Sequence, residues 1–213
     1  MARIAPQKKQ ELERTRRDQI VEAAVECWLE SGFDAASVAA IATRAGLAKG
    51  TVYLYFATKD DILNEAIRRY SLAPNIRGAL AGMAGSSPEA TVRAIVRMMW
   101  TAMKERAAIV QFLVREVCVR PEHARMFFEK VVLPTNELVA DNFHRRSNAG
   151  EVRSIDWFVA ARALVGMLTI FVFTQEVFGG KQIHPLSDDD IVDTVCDLFL
   201  RGVLPRTGES DAA

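Results

Sequence analysis

Cysteine is scarce and irregularly placed in this chain: Cys27, Cys118 and Cys196 are far apart and match no CxxC or metal-ligand spacing. That excludes a disulfide framework or a zinc module, and an odd count without a framework predicts reduced, buried thiols in a cytosolic protein. Histidine is equally sparse. His123, His144 and His184 share no i, i+4 spacing with one another or with a cysteine, so no metal and no other cofactor is expected. The sequence also lacks a nucleophile elbow, a P-loop and a dinucleotide fingerprint, and no enzyme is expected. A long apolar run is missing too. The longest uncharged stretch, Ala163 to Gln175, is 13 residues, too short to cross a bilayer, and the first residues lack the apolar stretch of a signal peptide. No segment alternates apolar and polar residues as a strand would.

What is present is helical periodicity around a substantial apolar content, 50% of 213 residues. The net charge is zero but unevenly placed. Residues 1–17 carry Arg3, Lys8, Lys9, Arg14, Arg16 and Arg17 against Glu11 and Glu13, a basic arm ahead of a folded domain. Arg16 and Arg17, at the start of a helix, are the better candidates within it for meeting DNA. Ile20, Ala24, Cys27 and Trp28 recur at helical spacing, and Gly32 follows as a C′ residue. Ser37 can cap a short second helix, and Thr58 with Asp61 can form a capping box for a fourth. The stretch from Asn75 to Gly85 reads as either a loose helix or a connector. Ser87-Pro88-Glu89 starts a helix running to Arg106, another covers Ile109 to Val119, and Pro121 starts a third in which Pro134 forces a kink or break. Ser154 opens a helix ending at Phe178-Gly179-Gly180. Ser187 opens the last, whose Asp188, Asp189 and Asp190 suit the positive end of a helix dipole. The fold class is all-α, with about nine helices.

Residues 37–56 have the layout of a helix-turn-helix: a two-turn helix, a tight turn at Gly46 and a second short helix. Val38, Ile41, Ala42, Leu47, Val52 and Phe56 would pack the pair together. Lys49, Gly50, Thr51, Tyr53 and Tyr55 face outward, a combination that suits a major groove. Lys59 follows at a helix start, where a cation and free amides can meet phosphate. A helix-Gly-helix corner alone also occurs in many all-α proteins that bind no DNA.

The residues themselves carry a resemblance. Ser37-Val38-Ala39-Ala40-Ile41-Ala42, then Ala45-Gly46-Leu47-Ala48-Lys49-Gly50-Thr51-Val52-Tyr53-Leu54-Tyr55-Phe56, then Lys59 and Leu63, resemble the N-terminal domain of the tetracycline-repressor (TetR) family. The likeness spans residues 14–70. It implies a bacterial transcription regulator in which Ser37 caps the second helix and touches phosphate. Lys49, Gly50, Thr51 and Tyr53 would present the recognition helix, with Lys49 and Thr51 reading bases, while Tyr55 and Lys59 hold the backbone. Ala48 departs from the hydroxyl residue often found there, removing one contact.

The resemblance also implies a homodimer built through the last two helices, Ser154–Phe178 and Ser187–Val203. The first is apolar nearly all round, and the second has two apolar edges, Ile191-Val195-Leu198 and Val192-Cys196-Phe199, so each must be covered on two sides. The middle helices are rich in methionine and aromatics. Met99, Trp100, Met103, Phe112, Met126 and Phe127 are candidate walls of a pocket for a small hydrophobic or aromatic effector, or equally a packed core. Glu116 and Gln175 are the polar residues placed to orient such a ligand or to reach solvent. The expected domains are 1–60, arm and helix-turn-helix; 61–205, effector binding and dimerisation; and 206–213, a disordered tail. The function expected is a cytoplasmic repressor released from a palindromic operator by a small molecule. A regulator answering to a protein or to thiol oxidation, and a helical enzyme or ligand-binding protein with a borrowed corner, stay open.

Overall fold

The computed structural model describes residues 6–205, without the side chains of residues 6, 7, 9, 114, 115, 117 and 118. The expected arm cations Arg3 and Lys9 and the tail 206–213 lie outside that description. Among the described residues all regular structure is helical, as the periodicity implies. The chain runs α1 (Pro6–Ser31), α2 (Val38–Arg44), α3 (Lys49–Tyr55), α4 (Lys59–Tyr70), α5 (Ala73–Gly82), α6 (Pro88–Glu105) and α7 (Ala107–Val119). It continues with α8 (Pro121–Phe127), α9 (Leu133–Asn148), α10 (Trp157–Val172), α11 (Gly180–Ile183) and α12 (Asp188–Val203).

The helix ends follow local chemistry. Gly32, at φ +82°, closes α1 with its N–H on the Trp28 carbonyl at 2.9 Å, a backbone state that glycine adopts without steric cost. Thr58 and Asp61 exchange reciprocal bonds of 2.8 and 3.1 Å, a capping box with aspartate in the glutamate position. Ser87 and Ser187 accept the capping bonds that start α6 and α12. The undecided stretch after Ala73 is helical, as α5. Asp156, not Ser154, caps α10, its carboxylate accepting from the Phe158 and Val159 amides at 3.0 Å. Pro134 sits in the first turn of α9, and the chain widens into a π turn, Phe128–Val132, just before it. A second π turn, Phe173–Val177, continues α10.

The chain divides into two compact units. The first comprises residues up to Tyr70 together with Phe112–Met126; the second comprises Ser71–Gln111 and Phe127 onward. A boundary at residue 60 therefore falls inside the first unit, because Ile62, Leu63, Ala66 and Ile67 of α4 are wholly buried and α4 packs on α1. In the second unit α5, α6, α9, α10 and α12 enclose Ile76, Ile95, Met99, Phe143, Leu164, Leu168 and Cys196. Each such aliphatic side chain contributes about 1.5–3 kcal/mol relative to exposure.

Candidate nucleic-acid interface

The first unit holds its short helices by polar pins as much as by packing. Helices of seven residues, such as α2 and α3, bury few side chains: Ile41 and Ala42 from one, Val52 from the other. Ser37 starts α2, its hydroxyl accepting from the Ala40 amide at 3.1 Å, as expected. The turn passes through Gly46 at φ +65°, and the Leu47 amide returns to the Ala42 carbonyl at 2.9 Å. Ala48 leaves α3 without a side-chain cap. Arg44 places both guanidinium donors on the two oxygens of Glu30, tying α2 to α1. That fork holds the Glu30 carboxyl below its ordinary range.

Two residues expected to meet DNA, Lys59 and Arg17, have bonding partners within the first unit. The Lys59 ammonium donates to the carbonyls of Phe33, Asp34 and Ala36 at 2.5–3.2 Å and lies 4.4 Å from the Phe33 ring centre. A lysine has three donors, and these carbonyls engage all three, so Lys59 fastens the loop entering α2. Arg17 donates to the Tyr55 carbonyl at 3.0 Å, stacks 4.3 Å over Phe56 and lies 3.7 Å from Glu65. It closes the last turn of α3 onto α1. Arg16 bonds Gln19 along its own helix at 2.8 Å.

What remains outward is the face of α3. Lys49 is exposed with its ammonium 6.0 Å from the Tyr53 ring, and no carboxylate pairs with it among the described residues. Gly50 is exposed, and a methyl group built there would meet nothing within 4 Å. Tyr53 is 48% exposed, and Thr51 and Tyr55 are half-buried. Leu54, absent from the predicted set, is 82% exposed one helical turn beyond Gly50. An exposed leucine on an otherwise polar face can contact a thymine methyl, and its i, i+4 relation to Gly50 was the available signal.

The candidate effector residues do not form one set. Phe112 stacks on Trp28, ring centres 5.6 Å apart, and Glu116 lies 3.6 Å from Arg120 and 3.9 Å from His123, all in the first unit with Met126. Met99, Trp100 and Met103 are buried in the core of the second unit, which also holds Phe127. Buried Gln175, also in that unit, accepts from the Leu186 amide at 3.2 Å.

An all-α chain whose pinned helix-turn-helix presents one bare helical face defines a helix-turn-helix DNA-binding protein. Comparison with known proteins makes the class specific. The bacterial regulatory proteins of the tetR family match residues 20–66, and the C-terminal domain of AefR-like transcriptional repressors matches residues 89–202. The chain belongs to the TetR family of transcriptional regulators. The fatty acid metabolism regulator protein of Bacillus subtilis is 53% identical over 45 residues, covering 21% of this chain and 23% of that protein. The regulator BetI of Stenotrophomonas maltophilia is 38% identical over 91 residues, 41% of this chain and 45% of that one. The matches thus span less than half the length of these two relatives. The fold likeness is wider. A TetR-family regulator from Mesorhizobium loti superposes with a TM-score of 0.77 at 21% identity, covering 91% of this chain and 98% of that chain. FadR of Bacillus subtilis, solved with stearoyl-CoA, gives 0.72 at 22% identity over 87% and 98%. Members of this family are regulators rather than enzymes; they bind operator DNA, act as dimers and bind small molecules.

Proposed function

We propose that this regulator is a homodimeric, cytoplasmic repressor that reads a pseudo-palindromic operator through α3. The observation that carries this reading is the division of labour among its cations: Lys59, Arg17 and Arg44 are engaged inside the unit, while Lys49, Gly50, Tyr53 and Leu54 stand free on one face. In it Lys49 and Thr51 approach base edges, with Leu54 beside them, and Ser37 and Tyr55 meet the backbone. The two copies of α3 in a dimer would meet half-sites one helical turn, or a multiple, apart.

The partner copy is assigned to the outer faces of α10 and α12. Val159, Ala163, Gly166 and Ile170 are exposed on one, Thr194 and Leu198 on the other. By length and composition the helix Trp157–Val177 could span a membrane, but it carries Arg162 and Glu176, and a second copy of the chain covers its outer face equally well.

The effector is assigned to the second unit, with Met99, Trp100, Met103, Phe127 and Gln175 as the candidate lining. The AefR-like match over residues 89–202 and the stearoyl-CoA bound by the Bacillus subtilis FadR support a long apolar ligand. Thiol oxidation has less support as the signal: burial pushes the Cys27 and Cys196 thiols up, away from the reactive thiolate. The test is operator binding, on a duplex enriched by the protein from a randomised pool, titrated with long-chain acyl-CoA and with aromatic compounds. Release by one class at micromolar concentration supports the reading. Undiminished binding with every compound would leave a regulator without a small-molecule effector.

A further inference from the structure

Residues 112–126 belong to the DNA-binding unit although the chain reaches them only through the other one. Within the first unit this segment meets both flanks of the helix-turn-helix. On the entry side, Arg120 pairs with Asp34 and lies 5.5 Å over Phe33, while the His123 ring sets its edge or face against Phe33 at 5.1 Å and 79°. Phe33 and Asp34 lie immediately before α2. On the exit side, His123 Nε2 lies 3.0 Å from Asp60 Oδ1 in the first turn of α4, just after α3. Lys59 joins the two flanks through its three carbonyl bonds.

The histidine is incompletely satisfied. It is 2% exposed, and its Nδ1 has no hydrogen-bond partner. A carboxylate only accepts, so the bond to Asp60 places the proton of a neutral imidazole on Nε2 and leaves a lone pair on Nδ1. That lone pair faces Glu116 Oε2 at 3.9 Å, and the Glu116 side chain is 10% exposed. Two acceptors face each other in a buried site, where an unpaired polar atom is costly. Among the described residues, the charged groups facing the ring are Asp60 of α4 and Glu116 of α7; behind them Arg120 pairs with Asp34 and lies 3.6 Å from Glu116, and Lys59 lies across Phe33. One proton taken from solvent onto Nδ1 gives it a donor toward Glu116.

We propose that His123 is a positioning residue for operator binding: it holds both flanks of the helix-turn-helix, through Asp60 and through a proton shared with Glu116. The proposal rests on the reading that α3 binds DNA. Proton uptake tightens the grip on α2 and α3, so operator affinity falls as pH rises.

The experiment measures affinity of the full-length protein for a duplex that wild type has enriched from a randomised pool, over roughly pH 5.5–8. Wild-type affinity is expected to fall by about tenfold across that range, within the 5–150-fold usual for coupled equilibria. Glu116→Gln replaces the missing proton, because its amide donates to Nδ1, and is expected to bind tightly with a flat profile. His123→Gln keeps a neutral donor toward Asp60 but cannot take the proton; it is expected to be flat at the weaker, high-pH level. Should His123→Gln fail to fold, the comparison of wild type with Glu116→Gln decides alone. A wild type that binds but shows the same pH profile as Glu116→Gln overturns this proposal and leaves the DNA-binding reading intact. Failure to enrich any duplex at any pH overturns both.

Discussion

The two units of this protein are each held together differently inside, and the difference supports the surface proposed on α3. The first unit builds on seven-residue helices with little to bury, so polar groups fix them: Arg44 on Glu30, Arg17 on the Tyr55 carbonyl, Lys59 on three carbonyls and His123 beside Asp60. The second unit is an apolar bundle, with Leu164, Leu168, Val172, Val195 and Cys196 fully or almost fully buried. The ion pairs between α6 and α12 lie outside this core, where Arg93, Arg97 and Lys104 meet Asp193, Asp189 and Asp188; Arg146, which bonds buried Thr91, is the inward exception among the described residues. A charged residue in the first unit is therefore structural unless it is visibly unengaged. An apolar residue in the second is core unless it is visibly exposed.

The largest expected break in this pattern comes from the exposed leucine. Leu198 is 59% exposed while its neighbour Phe199 is 6% exposed and packs edge-on against Phe143. Leu198→Arg is expected to leave the protomer folded, by circular dichroism, but to sediment as a monomer. An unpaired charge forced into the dimer seam costs about 3–5 kcal/mol. Next is Lys59→Ala, which strips three carbonyls of their donor. A loss of about 1–3 kcal/mol in chemical denaturation is expected.

The smallest effect belongs to the decorating pairs. Lys104 holds the Asp188 carboxyl below its ordinary range by hydrogen bonding. The pair therefore adds stability above the unfolded carboxylate pKa and loses it as pH falls through the depressed folded value. Both groups are partly exposed, so Lys104→Met should cost only about 0–1 kcal/mol at neutral pH, a difference that vanishes in acid.

Local chemistry made much of the fold legible in advance. Ser37, Gly46, Thr58 with Asp61, and Ser87 with Pro88 each determine a helix end within a few residues, and the structure places those ends accordingly. What was not legible shares one cause: the deciding partner is distant in sequence. Lys59 meets carbonyls 23 to 26 residues away and Arg17 meets one 38 residues away, which no local pattern reveals. Both edges of α12 are apolar, but Ile191, Val195, Val192, Cys196 and Phe199 all turn to their own core, leaving Leu198 outside. Periodicity registers an apolar edge without saying which molecule covers it. Nor could it reveal that residues 112–126, with Phe112, Glu116 and Met126, join the first unit while the other candidate effector residues lie in the second.

The central claim is that the bare face of α3, not the pinned residues around it, meets DNA. Two lysines ten positions apart test it most directly, through the salt dependence of operator binding by Lys49→Ala and Lys59→Ala. The account predicts that Lys49→Ala lowers the slope of log affinity against log salt by about one unit, with stability unchanged. Lys59→Ala should keep the wild-type slope while losing stability. A slope lowered by Lys59→Ala and untouched by Lys49→Ala would contradict the account.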